Sequence, residues 1–195
     1  MNNPAPPTPV KPKQLQMLWP ASRLAAPPAI DAAPGYSLRI FEPADAAAYI
    51  GLMHKAGFKD WNAETLAATL KRILPDGLFV IEHMATGSLA ATTMAIHNPT
   101  DLHPFGGELG WVAGDPAHSG KGLGMTVCAA VVDRYLRAGY KCIYLQTDDW
   151  RLPAIKVYLK LGFVPYLFAP DMAGRWQAVC AKLDWPVDPA WPTAR

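Results

Sequence analysis

An α/β fold is what this chain predicts, on three observations. Segments with the two-residue alternation of strands are interleaved with segments whose apolar residues recur at helical spacing. Residues 108 to 146 read as strand, glycine-rich turn, helix and second strand, a parallel unit whose turn lies at the carboxyl end of its first strand, where open sheets bind ligands. A length of 195 residues with 51% hydrophobic side chains suffices for one buried core and is short for two ordinary domains.

The elements follow in order. Tyr36 to Glu42 alternates as a strand, and Pro43 then stands where a helix tolerates proline, opening a helix over Ala44 to Lys55. Asn62 caps a second helix, Ala63 to Leu74, which Pro75-Asp-Gly77 ends. Leu78 to Met84 and Ser88 to His97 form a hairpin around Thr86-Gly87. Glu108 to Gly114 is a strand, Lys121 to Ala138 a helix stopped by Gly139, and Lys141 to Gln146 a strand. A helix over Leu152 to Leu161 and two strands, near Phe163 to Phe168 and Trp176 to Leu183, complete the set.

Proline marks the limits of the domain, which is read as residues 35 to 184. Residues 1 to 34 hold nine of the twenty prolines and read as a flexible leader, with Leu15 to Leu24 as a stretch able to dock on the domain or on a partner. Residues 185 to 195 read as a shorter tail. A net charge of +2, from 18 basic and 16 acidic side chains, points away from nucleic acid and membrane surfaces. Cys128, Cys142 and Cys180 are odd in number and lie in apolar patterns, so free thiols and a cytoplasmic setting are expected. The histidines have no metal-ligand spacing.

The turn before the long helix is the informative segment. It reads Ser119-Gly-Lys-Gly-Leu-Gly124, and glycines that open a helix present backbone N–H groups to a phosphate. Two nucleotide loops fail on spacing. A Walker A loop would need glycine at Asp115 and a hydroxyl residue at Gly122, and in Gly120-Lys-Gly-Leu-Gly124 the third glycine falls one residue early for the dinucleotide fingerprint.

Ser119 to Gly124 resembles the Gln/Arg-x-x-Gly-x-Gly/Ala loop of the GNAT superfamily of acyl-CoA-dependent N-acetyltransferases. Downstream, Ala154 is followed four residues later by Tyr158 and then by Gly162-Phe163, which is similar to the second signature of that family. The resemblance implies the GNAT fold, a central, mixed, largely antiparallel sheet of six to seven strands flanked by helices in the order β-α-α-β-β-β-α-β-α-β-β. It implies acetyl-CoA as cosubstrate, held at its pyrophosphate by the turn Ser119, Gly120, Lys121, Gly122, Leu123 and Gly124, and at its pantetheine arm by Trp111, Val112, Ala113 and Gly114. Ser119 replaces the long polar side chain that usually opens the loop.

Tyr158 matches the tyrosine that gives a proton to the departing thiolate, and also reads as a packing aromatic. Glu108 reads either as the general base or as a strand-edge carboxylate. His97 and His103 are alternative bases. His54, Phe58, Trp61 and Trp150 are candidate acceptor-pocket walls or core, and Arg151 could meet an acidic acceptor. The implied reaction is acetyl transfer to a primary amine of a small molecule or peptide by direct attack, without metal and with a homodimer as one option; the alternative is a CoA-binding regulatory module without turnover.

Overall fold

The computed structural model describes residues 13–194. One seven-stranded sheet has the order β2-β3-β4-β5-β6-β1-β7, where β1 is Leu15–Leu18, β2 Tyr36–Ile40, β3 Ile73–His83, β4 Ser88–His97, β5 Gly107–Gly114, β6 Ile143–Thr147 and β7 Val164–Tyr166. Every neighbouring pair is antiparallel except β5 and β6. Helices α1 (Ala46–Lys55) and α2 (Ala63–Leu70) cover one face, and α3 (Leu123–Arg137), α4 (Leu152–Leu161) and α5 (Met172–Leu183) belong to the core cluster of the other. Burial on both faces explains why Leu89 to Ile96 of β4 is continuously buried and reads as an unbroken run of small and apolar residues with two threonines. Thr92 and Thr93 enter that interior because each hydroxyl donates to a backbone carbonyl, of Phe79 and of Gly110. No helix among the described residues is long and apolar enough to cross a membrane.

Four expectations are corrected. The predicted last strand, Trp176 to Leu183, is helix α5: Met172, Trp176, Val179 and Cys180 are its buried residues, and their four-three-one spacing has the helical period. The sheet position next to β6 is filled instead by Leu15–Leu18, from the predicted leader. Leu15 and Met17 are fully buried, and the polar Gln16 between them is satisfied by His103, whose Nε2 lies 2.7 Å from its Oε1. Trp19 continues the anchoring with its ring 5.3 Å from Phe163, and Arg23 donates to the carbonyl of Leu161 at the end of α4. Residues 1–12 of the predicted leader, and residue 195, lie outside the described residues.

The second helix stops at Leu70, and β3 begins at Ile73, running through Pro75-Asp-Gly77. The ladder steps from Ile73 opposite Ile96 to Leu78 opposite Met94, a bulge in which Asp76 takes a left-handed φ of 57° and Pro75 is tolerated. The predicted C-terminal tail is also held, since Leu167 N–H donates to Pro192 O at 2.8 Å and Trp191 packs against Trp176.

The feature that positions the site is the joint between β5 and β6. They pair only at Gly107 with Ile143 and at Glu108 with Tyr144; beyond Glu108 the facing edges carry no ladder partner among the described residues. A cavity of about 260 Å³ opens there, bounded by Leu109 to Val112 on one side and by Gln146 to Asp148 on the other.

Candidate active site

Strand β5 is bent within this gap. Thr92 lies opposite Ala113 and Met94 opposite Gly110, so Trp111 and Val112 together face the single residue Thr93, a bulge. Trp111 adopts φ 54°, a conformation that costs a bulky residue about 1–3 kcal/mol and persists only where the surroundings fix it. Its ring is fixed edge-on between Trp61, 4.8 Å away, and Phe58, 5.5 Å away. Gly110 is required by close packing, because a Cβ there would come within 2.6 Å of Ile96 Cδ1. The distortion lies at Trp111 and Val112, whereas Gly114 keeps its pairing with Ala91.

After β5 the chain turns through Asp115 into the glycine loop. The Asp115 carboxylate accepts from Ala117 N–H at 3.0 Å and from Lys55 Nζ at 2.7 Å, and the lysine holds its carboxyl below the usual range. Gly120 and Gly122 take φ of 75° and 76°, which a side chain would strain, and Gly122 is the N-cap of α3. Gly124 lies in ordinary helical backbone inside the first turn. No backbone or side-chain acceptor among the described residues takes the amides of Gly120, Lys121, Gly122, Leu123 or Gly124. Five free donors at the positive end of a 15-residue helix form an anion cradle. Ser119 is extended and exposed, and Lys121 holds its ammonium 5.7 Å from the ring of Tyr36, which is hydrogen-bonded to His118 at 2.8 Å.

Two titratable residues from the sequence reading meet in the cavity. Tyr158 reaches it from α4, is 5% exposed, and makes no hydrogen bond through its hydroxyl to any described residue. Burial pushes its phenol far above the usual range, so the hydroxyl keeps its proton. Glu108 reaches the cavity from β5, accepting from Asn98 Nδ2 on one oxygen and from Gln146 Nε2, at 3.3 Å, on the other. Burial raises its pKa, and these donors together with the Arg72 charge oppose the rise. Asn98, Gln146, Arg72 and Gln14 belong to the site and were not singled out from sequence. Asn98 occupies a loop, and Gln14 lies in the predicted leader and donates to Asp148 at 3.1 Å.

The alternative bases do not reach the cavity. His103 is 2% exposed, stacks on Tyr144 at 3.9 Å, and has its pKa lowered to about 4 by burial. His97 pairs with the Tyr140 hydroxyl at the surface. Among the expected pocket walls Phe58 lines the cavity; His54 is bonded to Trp61 O at 2.7 Å, Trp61 is core, and Trp150 is exposed with the Arg151 guanidinium 4.3 Å above its ring. The three cysteines are free, and no metal-binding cluster of His, Cys, Asp and Glu occurs among the described residues.

Comparison with known proteins places this arrangement. The model of the acetyltransferase (GNAT) family matches residues 46–163, which includes the bent strand, the glycine loop and Tyr158. A mycothiol acetyltransferase of Saccharomonospora viridis is 28% identical over 158 residues, covering 74% of this chain and 48% of that protein, so the chain spans about half the length of that curated relative. A GCN5-related N-acetyltransferase from Sphaerobacter thermophilus superposes with a TM-score of 0.62 at 19% identity, over 78% of this chain and 47% of that one. An acetyltransferase of Trypanosoma brucei superposes with a TM-score of 0.52 at 23% identity, over 66% of this chain and 92% of that one. The family match covers more than half of the sequence and the structural neighbours share its sheet and helices: the chain belongs to the acetyltransferase (GNAT) family.

Proposed function

We propose that the protein transfers the acetyl group of acetyl-CoA to a primary amine of a small molecule or peptide by direct attack. The observation that carries this reading is the opening beyond Glu108, where an unpaired strand edge, one half-buried carboxylate and one buried phenol line a single cavity, with a free-amide cradle following the same strand in the chain. The amides of Gly120 to Gly124 would take the pyrophosphate, Lys121 would offset part of its charge, and the free edge of Trp111 to Gly114 would pair with the amide-bearing pantetheine arm as an added strand. Ser119 would contribute backbone shape rather than a long side chain.

Glu108, with its raised pKa, takes a proton from the incoming ammonium, and the amine nitrogen then attacks the thioester carbonyl. The carbon–sulfur bond breaks as the tetrahedral intermediate collapses, the Tyr158 hydroxyl delivers its proton to the leaving thiolate, and the second proton still carried by the new amide nitrogen restores the Tyr158 hydroxyl. Burial keeps that proton on the phenol until the thiolate forms beside it.

Tyr158→Phe should lower kcat about a hundredfold or more while CoA still raises the melting temperature as it does in the wild type. Unchanged turnover removes Tyr158 from the reaction. Stabilisation by CoA without thiol release on any amine would instead identify a CoA-binding regulatory module.

A further inference from the structure

We propose that the acceptor is a small amino acid whose own carboxylate is read by Arg72 while its amine faces Glu108. This inference rests on the acetyl-transfer reading and narrows it to one substrate class.

Four charged side chains line the cavity: Arg72, Glu108, Asp148 and Arg151. Two of them neutralise each other, with Arg151 Nε 3.0 Å from Asp148 Oδ2 and the same guanidinium held between the rings of Phe58 and Trp150. Arg72 has no such partner. Among the described residues no carboxylate lies within ion-pair distance of it, and its one side-chain hydrogen bond goes to the neutral carbonyl of Asn98, leaving most of its five donors free.

Asn98 sets the spacing between this cation and the base. Its carbonyl oxygen accepts from Arg72 and its amide nitrogen donates to Glu108, so the guanidinium and the carboxylate stand one amide side chain apart. An amino acid likewise presents a hydrogen-bonding carboxylate oxygen and an amine nitrogen a short span apart, one to each group. A peptide N-terminus carries an uncharged carbonyl at that place.

The charges also change during the reaction. Once Glu108 has taken the ammonium proton, its charge no longer faces the Arg72 guanidinium, which stands exposed at the cavity mouth, and an acceptor carboxylate supplies a counter-charge there. Cosubstrate phosphates do not fill this role. The glycine loop follows the far end of β5, beyond Gly114, whereas Arg72 stands beside Glu108 at the near end. The cavity of about 260 Å³ must also admit the thioester, which keeps the acceptor small, and Phe58, Ile96 and Trp111 present apolar surface to its side chain.

The test uses the whole protein, acetyl-CoA and a panel of free amino acids, each beside its own carboxamide, with CoA thiol release as readout. The amine of a carboxamide is the less basic and more often neutral, so without recognition of the carboxylate the carboxamide reacts faster. The expected result is a kcat/KM at least about tenfold higher for the preferred acid than for its carboxamide, falling to a ratio near one in Arg72→Gln. Wild-type protein that uses the carboxamide equally well or better overturns the inference while leaving acetyl transfer intact, as does a preference that survives Arg72→Gln. No release on any amine overturns the catalytic reading and this one with it.

Discussion

Glu108 and Tyr158 are both driven toward their neutral forms by burial, yet the proposed reaction asks them to move protons in opposite directions. Glu108 must be ionised to accept a proton, so kcat/KM should fall as pH drops through its raised pKa, giving an acidic limb above the ordinary carboxylate range. Glu108→Gln should lower kcat/KM about a hundredfold and flatten that limb in a pH–rate profile. A limb that persists unchanged assigns the titration to another group. The elements that carry both residues to the cavity were legible in the sequence because each sits in or beside a motif. That of Arg72 was not, because the sequence placed it inside a helix running to Leu74; the structure ends that helix at Leu70, and the chain then enters β3 beside the site. Asn98 carries no local signal, and its role exists only once Arg72, Glu108 and Tyr144 converge on it.

At the scale of elements, the glycine loop and the helix behind it were readable because their requirements are local: two left-handed residues, a cap and a long apolar stripe. Strand β1 was hidden by its surroundings. Four residues among prolines show no convincing alternation, since Leu15, Gln16 and Met17 are all buried between two other strands. Its stabilisation is non-local, so Met17→Ala should destabilise the protein by about 2–5 kcal/mol in a denaturant titration, as expected of a fully buried methionine. A loss near zero would mean that the strand is not seated in the sheet in solution. Helix α5 shows the converse case. Its period was present in Met172, Trp176, Val179 and Cys180, in a stretch the sequence reading took for a strand from Trp176 onward.

For the whole molecule, the buried histidine beneath the site links folding to pH. His103 is neutral in the folded state, with a pKa lowered from 6.5 to about 4, whereas the unfolded chain binds a proton there near 6.5. Between those values the unfolded state holds more protons, so stability rises with pH and is lost as pH falls from about 6.5 toward 4. His103→Gln should flatten that part of the stability profile even if it lowers the plateau, and a slope identical to that of the wild type would show that His103 is not its source.

Strand β1 has one more consequence, for the order in which the molecule can be completed. Gln14 and Asp148, which meet at the rim of the cavity, are 134 residues apart in sequence. A ribosome therefore delivers β1 long before either strand that flanks it exists. The segment must stay unpaired until β6 has emerged, and Gln14 can reach the β5–β6 gap only then. Capacity to bind at that gap is thus a property of a nearly finished chain, and arrested synthesis before Tyr166 leaves a sheet with β1 unpaired on one side.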